Sequence, residues 1–88
     1  VVDSERRVLG IFTDGDLRRL IERGVDLRPL TAEEVMHRNP RTVRDDALAV
    51  EAAQLMELNR ITSVLVVDAS QRLCGALNSN DLMRAKVI

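Results

Sequence analysis

The sequence predicts a mixed α/β (α+β) fold built from β-α-β-β-α repeats, with small sheets packed against helices and a first repeat truncated at its N-terminus. Three observations predict it. Residues 1–21 and 66–86 are one segment written twice: Val1-Val2-Asp3 matches Val66-Val67-Asp68, Gly10 matches Gly75, Asp16-Leu17 matches Asp81-Leu82, and Arg7 and Arg19 match Arg72 and Arg84, at a constant offset of 65 positions. That offset exceeds the periods of solenoids and propellers, so it marks the tandem duplication of one supersecondary unit. Short β-branched runs alternate with stretches whose apolar residues recur at helical spacing, which is the pattern of a mixed fold. Finally, residues 40–65 lead into the second copy, and their counterparts are expected before Val1. The chain therefore divides into the C-terminal half of a first repeat (1–25), a linker (26–39) and a complete second repeat (40–88).

The elements follow in order. Val8 to Phe12 is a short apolar run between Arg6-Arg7 and Thr13-Asp14-Gly15-Asp16, and it reads as a buried strand. Leu17, Leu20 and Ile21 fall at i, i+3 and i+4 of a helix that Gly24-Val25 closes with a left-handed residue and its apolar follower. Pro29 breaks the pattern, and Thr31-x-x-Glu34 is a capping box opening a single turn that ends near His37. After Asn39-Pro40, Arg41 to Val43 is a minimal strand. Asp45 or Asp46 is suited to N-cap a helix running to about Leu58, with Glu51, Gln54 and Glu57 on its wet stripe and Leu48, Ala52, Leu55 and Met56 opposite. Ile61 to Val67 is too continuously β-branched for a half-exposed strand and is expected to be covered on both faces. Asp68-Ala69-Ser70-Gln71 turns into a strand from Leu73 to Leu77, and Asn80 to Val87 forms the closing helix.

Composition removes several function classes. Thirteen basic residues are offset by 14 acidic ones, for a net charge of -1 with no basic block, so no nucleic-acid partner is expected. No apolar run approaches the ~20 residues of a membrane span and no signal peptide is visible, so a cytoplasmic chain without a membrane partner is expected. Cys74 is the single cysteine and lies in an apolar run, where a buried, reduced thiol is the simplest reading. His37 is the single histidine and has no cysteine nearby, so a metal site is not expected; it reads as a solvated residue ending the short helix. With one lysine besides, Lys86, the chain holds no nucleophile–base pair and is not expected to be catalytic.

The candidate site lies at the two strand-to-helix junctions, Gly10-Ile11-Phe12-Thr13-Asp14-Gly15-Asp16 and Gly75-Ala76-Leu77-Asn78-Ser79-Asn80-Asp81. Free N–H groups at a helix start face anions, and a carboxylate one turn in can grip a diol. Thr13-x-x-Asp16 and Asn78-x-x-Asp81 are equally what helix capping selects. The copies differ in charge, since Asp14-Gly15 of the first is Ser79-Asn80 in the second. A phosphate is therefore expected at the second junction; Arg41, Thr42 and Thr62 are the further polar candidates in that copy.

Two such units, each ending in Gly-apolar-apolar-(Thr or Asn)-x-x-Asp, resemble a pair of cystathionine-β-synthase-type (CBS) domains. The resemblance implies binding of adenosyl or other nucleotides at those junctions, with no cofactor required, and a homodimer formed by CBS–CBS packing. The family's usual Thr or Ser stands as Asn at position 78. The stretch from Val8 to Arg19, followed by Gly24-Val25-Asp26, Glu34-Val35-Met36 and Ile61-Thr62-Ser63-Val64, is similar to the C-terminal CBS pair of D-arabinose-5-phosphate isomerases. That similarity implies an upstream sugar-isomerase (SIS) domain, a role in the Kdo branch of lipopolysaccharide synthesis, and CMP-Kdo as a second candidate ligand. The alternatives are a purely structural dimerisation module and the CBS pair of a different parent protein.

Overall fold

The computed structural model describes residues 1–86. Its elements run β1 (Gly10–Ile11), α1 (Asp14–Glu22), α2 (Ala32–Val35), β2 (His37–Arg38), β3 (Thr42–Arg44), α3 (Ala49–Asn59), β4 (Ser63–Val67), β5 (Leu73–Asn78) and α4 (Ser79–Arg84). The second repeat is thus β-α-β-β-α. Its strands form one sheet in the order β3-β4-β5, with β3 parallel and β5 antiparallel to β4. A parallel pair needs a crossover connection, and α3 supplies it.

The core sits where α3 and α4 cover one face of this sheet. Ala52, Ala53 and Met56 of α3 meet Val64 of β4 and Leu82 of α4, and Val43, Leu55, Ile61 and Leu77 pack around them. Small residues at 52 and 53 let the helix lie close to the strand. Glu51, Gln54 and Glu57 face solvent as their spacing requires.

The helix ends carry the clearest link from sequence to geometry. In α1, Gly24 adopts φ +73, its N–H bonds to Ile21 O at 3.0 Å, and the N–H of Val25 bonds to Leu20 O at 3.1 Å. This is a Schellman closure. Helix α3 ends the same way: Arg60 has φ 53 and ψ 45, its N–H bonds to Glu57 O, and the N–H of Ile61 bonds to Met56 O at 3.0 Å. Arginine here does what glycine does in α1, at a conformational cost of about 1–2 kcal/mol.

The duplication survives as geometry. Asp3 Oδ1 accepts the N–H groups of Glu5 and Arg7, and Asp68 Oδ1 accepts those of Ser70 and Arg72. Arg6 and Gln71, at matched positions, both have φ 66. The two turns pair with each other: Val8 N–H donates to Gln71 O at 3.2 Å and Leu73 N–H donates to Arg6 O at 2.8 Å. Exchanging the copies maps one bond onto the other, so a local two-fold runs between Arg7 and Arg72, which form an antiparallel bridge.

Several expectations are corrected. The first strand is confined to Gly10–Ile11, because the only ladder partner among the described residues is the two-residue β2; Phe12 is exposed. Helix α3 starts at Ala49 with Leu48 as N-cap and no side-chain cap, since the N–H of Asp45 extends the sheet by bonding to Val67 O and Asp46 lies in the turn that follows. Leu48 is accordingly 66% exposed. In β4, Val64 and Val67, which alternation places on opposite faces, are both buried, Leu65 and Val66 are half-buried and Ser63 is exposed, so both faces are covered except at the Ser63 end. Cys74 is exposed, because on β5 it shares a face with Ala76, opposite to the face on which Leu77 packs against the core. His37 is solvent-exposed but belongs to β2, the helical turn having ended at Val35. The expected continuation of α4 to Val87 lies outside the described residues.

Candidate functional site

Both junctions fold as capping boxes. Thr13 is the extended N-cap of α1: its Oγ1 accepts the N–H of Asp16 at 3.3 Å, and Asp16 Oδ2 accepts the N–H of Thr13 at 3.0 Å. Asn78 and Asp81 repeat this at α4, with both bonds at 3.0 Å. Each aspartate also accepts from an arginine one turn on, Arg19 for Asp16 and Arg84 for Asp81, the latter at 2.7 Å. The N-cap N–H is the main cause holding each carboxyl below its ordinary range, and the arginine adds to it. Both are ionised at neutral pH.

The cavities show what these junctions face. A cleft of about 850 Å³ opens between the copies. One wall is the first junction, with Ile11, Thr13, Asp14 and Asp16; the other comes from the second repeat, with Arg41 after Asn39-Pro40 and the segment from Asn59 to Ser63. Volumes of this order are typical of small-molecule sites. A smaller hollow of about 270 Å³ lies behind α1, against Val35, Met36 and His37.

The expected site residues are therefore distributed differently from their order in sequence. Thr13, Asp16, Arg41 and Thr62 share the cleft. Thr42 lies in β3, half-buried and opposite Leu65, and does not line it. Asn78 and Asp81 do not line it either. They touch it indirectly, because the N–H of Ser79 donates to Thr62 O at 2.8 Å and so ties the start of α4 to the cleft wall. Sequence reasoning missed Asn59, Arg60 and His37 as lining residues. A signal for the first two was present, since a helix that stops at Asn59-Arg60 directs its C-terminal turn toward the next strand's entrance.

A β-α-β-β-α unit and a second copy of its closing turn, strand and helix, which pair through equivalent turns and border a polar cleft, make a repeat module with a ligand-sized cavity between the copies. The chain belongs to the CBS domain family, whose model matches residues 32–88. Among curated proteins it is similar to arabinose 5-phosphate isomerase KdsD of Pseudomonas aeruginosa, at 50% identity over 88 residues, and of Escherichia coli K12, at 47%. It spans 27% and 26% of those relatives' lengths. Among solved structures it resembles the CBS domain pair of protein MJ0100 in complex with 5′-methylthioadenosine and S-adenosyl-L-methionine, with a TM-score of 0.84 and 30% identity over 99% of this chain and 67% of that one. CBS domain protein PAE2072 from Pyrobaculum aerophilum, complexed with AMP, follows at a TM-score of 0.80 and 28% identity, over 88% of this chain and 57% of that one.

Proposed function

We propose that this chain is the ligand-sensing CBS pair of an arabinose 5-phosphate isomerase. It holds an adenosyl nucleotide, or the nucleotide sugar CMP-Kdo, in the cleft between its copies. The parent's interconversion of ribulose 5-phosphate and arabinose 5-phosphate takes place in an upstream SIS domain, in the cytoplasm. The observation that carries this reading is the cleft itself, which sets the ionised Asp16 and Thr13 of one copy against Arg41 and Thr62 of the other. The whole-chain similarity to the isomerases supports the parent, and the adenosine compounds bound to the structural neighbours support the ligand class. Titration calorimetry with AMP, S-adenosylmethionine and CMP-Kdo tests it. Binding of at least one below millimolar concentration is expected, and no binding of any of them refutes the sensing role.

A specific observation favours a second reading, a structural dimerisation module. Leu48, Val50 and Leu58 of the α3 segment and Met83 of α4 are exposed. A ligand-independent homodimer in analytical ultracentrifugation, together with silent calorimetry, is the outcome that selects it.

A further inference from the structure

We infer that the outer edge of β5, at Gly75 and Ala76, is the docking site of the segment that tethers this module to its upstream domain, laid on as an antiparallel strand in the way β2 lies on β1. This rests on the parent proposed above. The duplication supplies a worked example of the contact. Val1 N donates to Gly10 O at 3.0 Å and Gly10 N–H donates to Val1 O at 3.4 Å, just as Val66 stands opposite Gly75. β1 is thus the counterpart of β5, and each has the end of the preceding segment on its inner edge. On the outer edge they differ. β1 pairs there with β2, through Gly10↔Arg38 and Ile11↔His37, and the buried Met36 ahead of β2 closes over Gly10. β5 is the last strand of its sheet, and beyond the bond from Leu73 N–H to Arg6 O no described residue pairs with its outer edge.

Burial at matched positions records the difference. Leu9 and Ile11 are half-buried and Gly10 is buried, whereas Cys74, Gly75 and Ala76 are all exposed. A Cβ at Gly10 would meet Met36 Sδ at 2.6 Å, while one at Gly75 would meet nothing within 4 Å. An open strand edge is a template for pairing, and sequences guard such edges with charge, proline or a bulge. β3, the other outer strand, follows Arg41 and ends in Arg44. β5 holds no charged residue and no proline, and its register shift, between Val66 and Val67, lies before Gly75. Because Gly10 gives its backbone groups to Val1, those of Ile11 point to β2, and those of Ala76 correspondingly point outward. The local two-fold that exchanges the copies carries β2 onto this edge, so the docking segment lies 65 positions before β2, upstream of Val1. The isomerase relatives, of which this chain spans 27% and 26%, have the length to supply it. A second molecule of this chain fits less well, since two β5 edges laid together bring no counterpart of Met36 to Gly75.

The test is hydrogen exchange, read by mass spectrometry with fragmentation to single amides, in the parent protein and in the 88-residue chain. Exchange at Ala76 is expected to be at least about tenfold slower in the parent, at any protein concentration. Gly75→Ala in the parent puts a methyl where the counterpart of Met36 would sit, and is expected to return Ala76 to the exchange rate of the 88-residue chain, in which that methyl has open space. Equal exchange in the two proteins, or slow exchange that survives Gly75→Ala, overturns the inference. Slow exchange that is lost on dilution assigns the edge to a second molecule and overturns it too. Isomerase activity of the same parent preparation is read separately: activity with an unprotected Ala76 strikes this inference alone, and no activity strikes the parent assignment on which it rests.

Discussion

Gly10 and Gly75 are the same residue of the duplicated unit, yet replacing each with alanine is expected to have different outcomes. Neither has a left-handed backbone, so conformation does not demand glycine at either place. Space does at one of them. A Cβ at Gly10 would stand 2.6 Å from Met36 Sδ, 2.8 Å from Met36 Cγ and 2.8 Å from the backbone oxygen of His37, whereas at Gly75 nothing lies within 4 Å. The thioether of Met36 can swing aside, though Met36 is among the buried residues. The carbonyl of His37 cannot, because β1 and β2 are locked in register through Gly10↔Arg38 and Ile11↔His37. Forcing a methyl into such a site costs about 1–3 kcal/mol, and each kcal/mol moves the midpoint of a domain this size by roughly 4–8 °C. Gly10→Ala is thus expected to lower Tm by roughly 5–20 °C, while Gly75→Ala is neutral or raises stability by up to ~1 kcal/mol through its effect on the unfolded chain. Thermal and urea unfolding followed by circular dichroism compare the two variants directly. Equal midpoints for the pair would refute the packing argument, and a Gly75→Ala variant that is the less stable would reverse it.

Two further outcomes are expected. Asp3, Asp16, Asp68 and Asp81 are all held below the ordinary value of 3.8, chiefly by backbone N–H donors at Arg7, Thr13, Arg72 and Asn78. Their folded-state values being depressed, the stability they contribute is present above about pH 4 and is lost as the pH falls through the lower folded values; urea unfolding from pH 6 to pH 2 should show that acid limb, and Asp16→Asn should flatten it. Cys74, being exposed on β5, is expected to react with an aromatic disulfide reagent in the native chain at a rate close to that of a free thiol, and a rate that rises steeply only on unfolding would contradict its exposure.

How much of this was legible in the sequence depends on the range of the interaction concerned. Local chemistry read correctly: the boxes Thr13/Asp16 and Thr31/Glu34 cap α1 and α2, and Gly24-Val25 closes α1, because each involves backbone groups within a few residues. The α3 start did not, because the N–H of Asp45 is claimed by Val67, a partner 22 positions away, and the sheet outcompeted the cap. Cys74 was misjudged for a related reason. An apolar run shows that a strand is present but not which face has a helix over it, and on β5 the helices cover the side of Leu77. At the candidate site the individual residue types were readable, while their grouping was not. Sequence proximity joins Arg41 and Thr62 to Asn78 and Asp81, but the pairing of the two Asp-headed turns brings them opposite Thr13 and Asp16 instead.

That grouping bears on whether capping and the proposed binding exclude each other, and acceptor capacity shows that they need not. Asp16 Oδ2 takes the N–H and the hydroxyl of Thr13, and Oδ1 takes Arg19, so the carboxylate is largely occupied in the free chain. The two sets of bonds differ in what they would cost to exchange. Releasing Thr13 N–H would open the reciprocal half of the capping box and leave a backbone donor without its partner, a loss of about 1 kcal/mol. The side chain of Arg19 is 66% exposed, and ion pairs of that kind contribute about 0–1 kcal/mol. On the proposed sensing role, a ligand hydroxyl entering the cleft would displace Arg19 from Oδ1 and leave the cap intact. Capping fixes the carboxylate in place through Oδ2, while Oδ1 is held only by an exposed arginine that a ligand hydroxyl could replace.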